Sequence, residues 1–181
     1  MHYISNEDIP YTSNSEALFE KLKDLPDAIW LDSAKPRSLQ GRFDIISACP
    51  DIIIQANGQH STITDINGVT ESRQDPFDLA KHYLGQLLPI NSPINAPFYC
   101  GLIGYFGYDL GRHNSAKERS TQAVTNLPDM RLGRYLWSLV INHEARKSTL
   151  FFHPLCATDT RDKVYQRLVE NTEKPAARSN N

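Results

Sequence analysis

Apolar positions recur along this chain with two periods, and the change from one to the other marks its elements. Leu18, Phe19, Leu22 and Leu25 fall at helical spacing after Ser13 and Glu16, which have the S-x-x-E separation of a capping box, and Pro26 closes the stripe. Asp75-Pro76 opens a second helix as N-cap and first helical residue, with Leu79, Tyr83, Leu84, Leu87 and Leu88 assigned to its inner face and Pro89 as the stop. A third helix is expected from Asp159 to about Asn171, with Val164, Tyr165, Leu168 and Val169 inward. Elsewhere the period is that of strands. Ala28–Leu31, Phe43–Ala48, Asp51–Ala56, His60–Ile66, Phe98–Phe106, Leu132–Asn142 and Ser148–His153 read as strands. Asn57-Gly58 and Asn67-Gly68 read as hairpin turns, and the polar stretch His143–Lys147 as another. Hairpins outnumber crossover units, so the expected fold is α+β, with largely antiparallel, sandwich-like sheets and about three flanking helices.

Composition narrows the class. The 181 residues carry 19 basic and 21 acidic side chains, a net charge of −2, which argues against a dedicated nucleic-acid binder. Mean hydropathy is −0.47 and no run approaches the roughly 20 apolar residues of a membrane span. The N-terminal MHYISNEDIPYTS is polar and acidic, unlike a secretory signal, so a cytoplasmic location is expected. Cys49, Cys100 and Cys156 are an odd, dispersed set, expected to be small buried hydrophobes rather than disulfides or zinc ligands. One domain over residues 1–172 is expected, followed by a polar tail at 173–181 that lacks an apolar anchor.

Candidate chemistry is sparse. Four of the nine glycines lie in Gly101–Arg112, GLIGYFGYDLGR, but as G-x-x-G-x-x-G-x-x-x-G, which matches neither nucleotide-binding spacing. A glycine-kinked strand with Tyr105 and Tyr108 packed beside it is the expectation there. The six histidines are scattered singly, mostly where turns or helix surfaces are expected, and no nucleophile motif or metal-ligand spacing occurs. No catalytic residue and no metal site are assigned, and the pair Glu7-Asp8 reads as solvated surface.

The stretch AIWLDSAKPRSLQGRFDIISACP is different. A strand ends in Asp32-Ser33, and Arg42-Phe43-Asp44 opens the next, gathering acid, hydroxyl, guanidinium and ring at neighbouring strand ends. An amino-acid zwitterion needs those groups: an acceptor for its ammonium, donors for its carboxylate and an apolar wall. Arg42 and Phe43 can line one pocket only if the strand bends or begins there. The alternative is a loop held by an ordinary Asp–Arg pair.

The runs GRFDIISACP, PFYCGLIGYFGYDLGR and LPDMRLGRYLWSLVINH occur in this order, and together the chain resembles the N-terminal region of aminodeoxychorismate synthase component I over about Ala17 to His153. It is also similar to the anthranilate synthase component I branch, where a Leu-Leu-Glu-Ser motif is usual; here Trp30-Leu31-Asp32-Ser33 stands at those positions. The resemblance implies a non-catalytic structural or regulatory domain. Chorismate, Mg²⁺ and the catalytic residues would belong to a larger C-terminal domain whose motifs are absent here, and ammonia to a glutamine amidotransferase partner. It also implies a tryptophan-like ligand at Leu31, Asp32, Ser33, Arg42 and Phe43, although Gln40-Gly41 stands where ligand-holding members often have Tyr-Ser. Apolar positions along Phe98–Phe106 and Leu136–Ile141 are expected to lie open for the larger domain. The remaining alternative is a stand-alone amino-acid-binding module.

Overall fold

The computed structural model describes residues 1–34, 41–108, 110 and 127–169. The expectations for Gln40, Arg112, the polar stretch 113–122, the end of the third helix at Asn171 and the tail 173–181 lie outside the described residues.

Among the described residues the chain forms twelve strands and three helices. They are β1 (His2–Tyr3), β2 (Ser5–Ile9), α1 (Ser15–Glu20), β3 (Ile29–Leu31), β4 (Phe43–Ser47), β5 (Ile52–Asn57), β6 (His60–Asp65), β7 (Gly68–Ser72), α2 (Pro76–Gly85), β8 (Ile90–Asn91), β9 (Gly101–Phe106), β10 (Met130–Tyr135), β11 (Trp137–Asn142), β12 (Lys147–Phe152) and α3 (Thr158–Leu168). Two five-stranded sheets result, in the orders β7-β6-β5-β10-β9 and β2-β12-β11-β4-β3, with β1 and β8 as a separate two-stranded pair. The ladders of the two large sheets are antiparallel, as expected for this α+β class.

The chain divides into two compact units. The first comprises residues 1–2, 50–90 and 100–135; the second comprises 3–49, 91–99 and 136–181. In the first, Ile52, Ile54 and Ala56 of β5, Ile63 of β6, and Met130 and Leu132 of β10 form a core closed by Leu79 of α2. Asp75 caps α2 as expected, accepting from the N–H groups of Phe77 and Asp78. Leu79 and Leu87 are buried, but Leu84 and Leu88, assigned inward from the sequence, are 38% and 52% exposed. The helix stripe is narrower than the run of leucines suggests. Phe77 stacks instead on Phe106 of β9, with ring centroids 5.5 Å apart and both rings half exposed.

In the second unit Trp137, Leu139 and Ile141 of β11 and Leu150 of β12 are fully buried. Trp137 stacks on Phe152, and Phe152 on Tyr165, which seats α3 on this sheet. Ser138 points the other way and donates to the carbonyls of Phe98 and Tyr99. Burying each large side chain here contributes about 1.5–3 kcal/mol.

Several boundaries differ from the sequence reading. The run Leu132–Asn142 is not one strand: it breaks at Leu136 into β10 and β11, which join different sheets. Leu136 through Ile141 are then buried by the chain itself, so the open apolar face expected there is absent. Asn14, not Ser13, caps α1, its Oδ1 accepting from the N–H of Ala17. Ser13 is thereby displaced from the capping box. The β6–β7 turn is Ile66-Asn67, because Asp65 pairs with Gly68 and its carboxylate accepts from the N–H of Asn67. The β5–β6 turn is Gly58-Gln59, with Gly58 at φ 61°, the positive value a type II′ hairpin places first. Strand β2 pairs with β12 despite its polar sequence. Tyr105 and Tyr108, expected to pack beside β9, are 37% and 87% exposed. Gly104 is required for a different reason: a Cβ there would lie 1.9 Å from the carbonyl oxygen of Arg131 on the neighbouring strand.

Candidate functional site

The sequence-derived ligand residues all fall in the second unit, at the end of its sheet where β3 leaves and β4 begins. Leu31 pairs with Ile45 and is 44% exposed, presenting an apolar side chain at the sheet edge. Asp32 is exposed, and its carboxylate accepts from the N–H of Ala34, which has φ 61°. Arg42 lies just ahead of β4, so the strand does begin at Phe43. The Arg42 guanidinium reaches back over the Phe43 ring, 4.8 Å from its centroid. It also pairs with Glu144 at 2.8 Å, across the turn between β11 and β12. Arg42, Phe43 and Ser33 therefore share one end of the sheet, and among the described residues Arg42 is paired with Glu144.

Ser33 is held from below. Its backbone N–H and its hydroxyl both donate to Oδ1 of Asp44, each at 2.8 Å. The other carboxylate oxygen accepts from the Ser15 hydroxyl at 2.5 Å and lies 2.9 Å from Nε2 of His143. Nδ1 of His143 in turn lies 3.2 Å from the Tyr11 hydroxyl. The side chains of His143 and Asp44 are only 6% and 3% exposed. Burial pushes the Asp44 carboxyl up, but the bonds from Ser15, Ser33 and His143 outweigh it and hold the group below the ordinary carboxylate value. A carboxylate has about four acceptor positions, and here all four are used.

Gly41 completes the closure. A Cβ at that position would lie 2.2 Å from the carbonyl oxygen of Ser33, so only glycine lets the two chain segments approach this closely. Beside the loop, the Trp30 ring packs on Phe19 with centroids 5.7 Å apart. The indole N–H of Trp30 is buried and has no hydrogen-bond partner among the described residues. The arrangement can present an apolar edge, a guanidinium and a carboxylate around the hydrogen-bonded turn at Ser33.

Sequence reasoning missed the centre of this site. His143 opens the polar stretch that reads as a turn, yet its ring is buried. His153, directly after β12, is also fully buried. The available signal was Asp44 itself, which shares the inward register of Ile46 on an apolar strand. A carboxylate in that register must find donors. Among the described residues no group of three or more His, Cys, Asp or Glu side chains is arranged to hold a metal ion. An open groove of about 420 Å³ lies in the first unit along α2, lined by Asp75, Asp78, Leu79, His82 and Tyr83 among others. It contains none of the sequence-derived ligand residues.

Comparison with known proteins supplies the context. No family model matches the chain. Aminodeoxychorismate synthase component 1 of Klebsiella aerogenes is 36% identical over 139 residues, covering 76% of this chain and 31% of that protein. The Escherichia coli protein of the same name is 30% identical over 141 residues, with 77% and 31% covered. Anthranilate synthase component 1 of Acinetobacter calcoaceticus is 29% identical over 163 residues, covering 86% of this chain and 32% of its own. In structure, anthranilate synthase component I from Streptococcus pneumoniae superposes with a TM-score of 0.56 at 23% identity, over 77% of this chain and 31% of that one. The chain is thus a relative of synthase component I proteins. More particularly, it is homologous to aminodeoxychorismate synthase component 1 and anthranilate synthase component 1, and it spans about a third of their length. No helix among the described residues is long and apolar enough to cross a membrane.

Proposed function

We propose that the chain serves as the non-catalytic, N-terminal-type part of a component I protein of the aminodeoxychorismate synthase kind. One observation carries this: relatives of that name match three quarters of the chain at 30–36% identity, while the chain covers only about 31% of them. In the complete protein, chorismate would be aminated to 4-amino-4-deoxychorismate with ammonia from a glutamine amidotransferase, on Mg²⁺-dependent machinery outside these residues. The same reading gives this chain a cytoplasmic location and a share in making the para-aminobenzoate unit of folate. Its own contribution is to pack against the catalytic part and to hold an amino acid such as tryptophan. For that ligand, Asp32 would face the ammonium, Arg42 the carboxylate, and Leu31 and Phe43 the side chain, around the turn at Ser33. The purified chain, given chorismate, ammonia and Mg²⁺, is expected to form no aminated product; turnover above the protein-free rate overturns the non-catalytic reading. Calorimetry with tryptophan tests the ligand, and the absence of heat at millimolar concentration removes it.

The 86% coverage by an anthranilate synthase relative favours a second reading, in which the same domain serves the tryptophan pathway. Grafting the chain onto the remainder of each kind of component I separates the two. Restored growth without para-aminobenzoate supports the first reading, and restored growth only without tryptophan supports the second.

A further inference from the structure

The hydrogen-bond chain beneath Ser33 runs further than a loop anchor needs. It passes from the turn at Ser33 through Asp44 to His143 and on to Tyr11, crossing from β4 to the β11–β12 turn and to the segment before α1. One member of this chain, the imidazole, can donate from one ring nitrogen or from both, and so can exist neutral or charged. We propose that Asp44 is the positioning residue of the ligand loop and that it transmits the protonation state of His143 to Ser33. This deepens the ligand-site reading above and rests on it.

The argument is one of lone pairs and protons. With a neutral ring, Nε2–H donates to Asp44 Oδ2 and Nδ1 accepts from the Tyr11 hydroxyl. With a protonated ring both nitrogens donate, so Tyr11 must turn its hydroxyl to accept. The buried carboxylate then faces a cation at Oδ2 while the two Ser33 donors remain on Oδ1. Negative charge is drawn toward Oδ2, and the Ser33 bonds weaken. The turn that presents Asp32 and supports Arg42 and Phe43 loosens as a result, so ligand affinity falls as His143 gains its proton.

The charged and titratable groups around His143 come from each element that meets it. Asp44 approaches from β4, and Tyr11 from the segment before α1. The Arg42–Glu144 pair flanks the turn, and the Arg42 carbonyl accepts from the His143 N–H at 2.9 Å. Arg146 lies over the Tyr11 ring, 5.4 Å from its centroid, and the Lys147–Asp8 pair closes the base of the turn. Of these, only Asp44 touches both His143 and Ser33.

The test is an NMR pH titration of the full 181-residue chain, following the His143 ring protons and the Ser33 amide, alongside calorimetry with L-tryptophan at pH 5.5 and 8. The proposal expects the Ser33 amide to move with the same midpoint as the His143 ring, and tryptophan to bind severalfold more weakly at the lower pH. In His143→Gln the Ser33 movement and the pH dependence both disappear. His82→Gln, on α2 in the first unit, removes a histidine that makes none of these contacts and is expected to keep both. A Ser33 amide that stays flat while His143 titrates overturns the coupling, and because this comparison needs only the wild-type chain it survives a variant that fails to fold. Tryptophan affinity equal at both pH values, with Ser33 tracking His143, overturns the control of binding. No tryptophan heat at either pH removes the ligand reading alone, since the Ser33–His143 coupling is then decided by the amide titration.

Discussion

Each unit of this protein buries one charged side chain in the inward register of an apolar strand, and the two are satisfied in opposite ways. In the first unit Arg134 of β10 follows Met130 and Leu132 on the core side. Its guanidinium forms a two-pronged pair with Asp51, at 3.0 and 2.6 Å, and donates to the Tyr83 carbonyl and to Gln86 at the end of α2. In the second unit Asp44 of β4 is met by two hydroxyls, one backbone N–H and one imidazole. A guanidinium keeps its charge at any pH a protein tolerates, so the first arrangement is a fixed clamp between sheet and helix. The second has an imidazole partner, whose ring can donate from one nitrogen or from both, so its strength is adjustable under the proposal above. The adjustable centre is the one that lies under the candidate ligand loop.

The largest expected effect breaks the clamp. Arg134→Ala strands Asp51 and leaves Gln86 and the Tyr83 carbonyl without their donor. Removing one partner of a buried pair costs about 3–5 kcal/mol, and the one-third exposure of the Asp51 side chain puts this case near the lower figure. Urea unfolding measures it, and a loss below about 1 kcal/mol, the range of exposed pairs, would mean that α2 is not held this way. Asp44→Asn should cost less, about 2 kcal/mol, because the amide keeps one accepting oxygen and the shape is preserved. Its distinguishing result is loss of tryptophan binding at a concentration of urea where the fold is intact. Arg134→Ala, acting in the other unit, leaves binding unchanged under the same conditions.

Acid sharpens the contrast further. The folded-state value of Asp44 lies below the ordinary carboxylate value, so the folded chain binds this proton less readily than the unfolded chain. Its stabilisation is complete above about pH 3.9 and is lost as the pH falls from there through the depressed folded value. Wild-type stability should therefore drop across that window by more than that of Asp44→Asn, which has no proton to gain. Parallel slopes in the two proteins would show that Asp44 is no better satisfied folded than unfolded.

Both centres were partly legible in the sequence. Asp44 alternates with Ile46, and Arg134 with Leu132, so parity alone marks each as a polar residue facing a core. Their partners were not legible, because Asp51 is 83 residues from Arg134 and His143 is 99 from Asp44. Pairings across that distance depend on sheet order, which local spacing does not encode. The same limit explains the run Leu132–Asn142: its apolar pattern continues through Leu136, and only the partners of each half place them in different sheets. Strand β2 was missed because SNEDI carries no apolar alternation, although β12 supplies it with a full ladder. What local pattern did capture were the caps and strands whose reasons are local, such as Asp75 ahead of Pro76 and the hairpin at Gly58.

The smallest expected effect concerns a thiol and asks how tightly the fixed clamp is closed. Cys100, at the edge of the same unit, is 8% exposed, and burial pushes its thiol up to about 12. Arg134 pulls that value down and Asp51 pushes it up, so the two members of the clamp act against each other on a neighbour they share. At pH 8 a thiol of this kind is ionised in about one molecule in 10⁴, and only the thiolate is alkylated. Cys49 in the second unit is only half-buried, and although burial raises its thiol too, Lys163 and Arg167 pull against that rise. Iodoacetamide at pH 8 should accordingly modify Cys49 well before Cys100, with the sites distinguished by peptide mapping. Cys100 should react only as fast as the first unit opens, so Arg134→Ala should accelerate its labelling, whereas Asp44→Asn should not. If Cys100 in the wild-type chain reacts as quickly as Cys49, the Arg134 centre opens freely, and the distinction between a fixed and an adjustable unit fails.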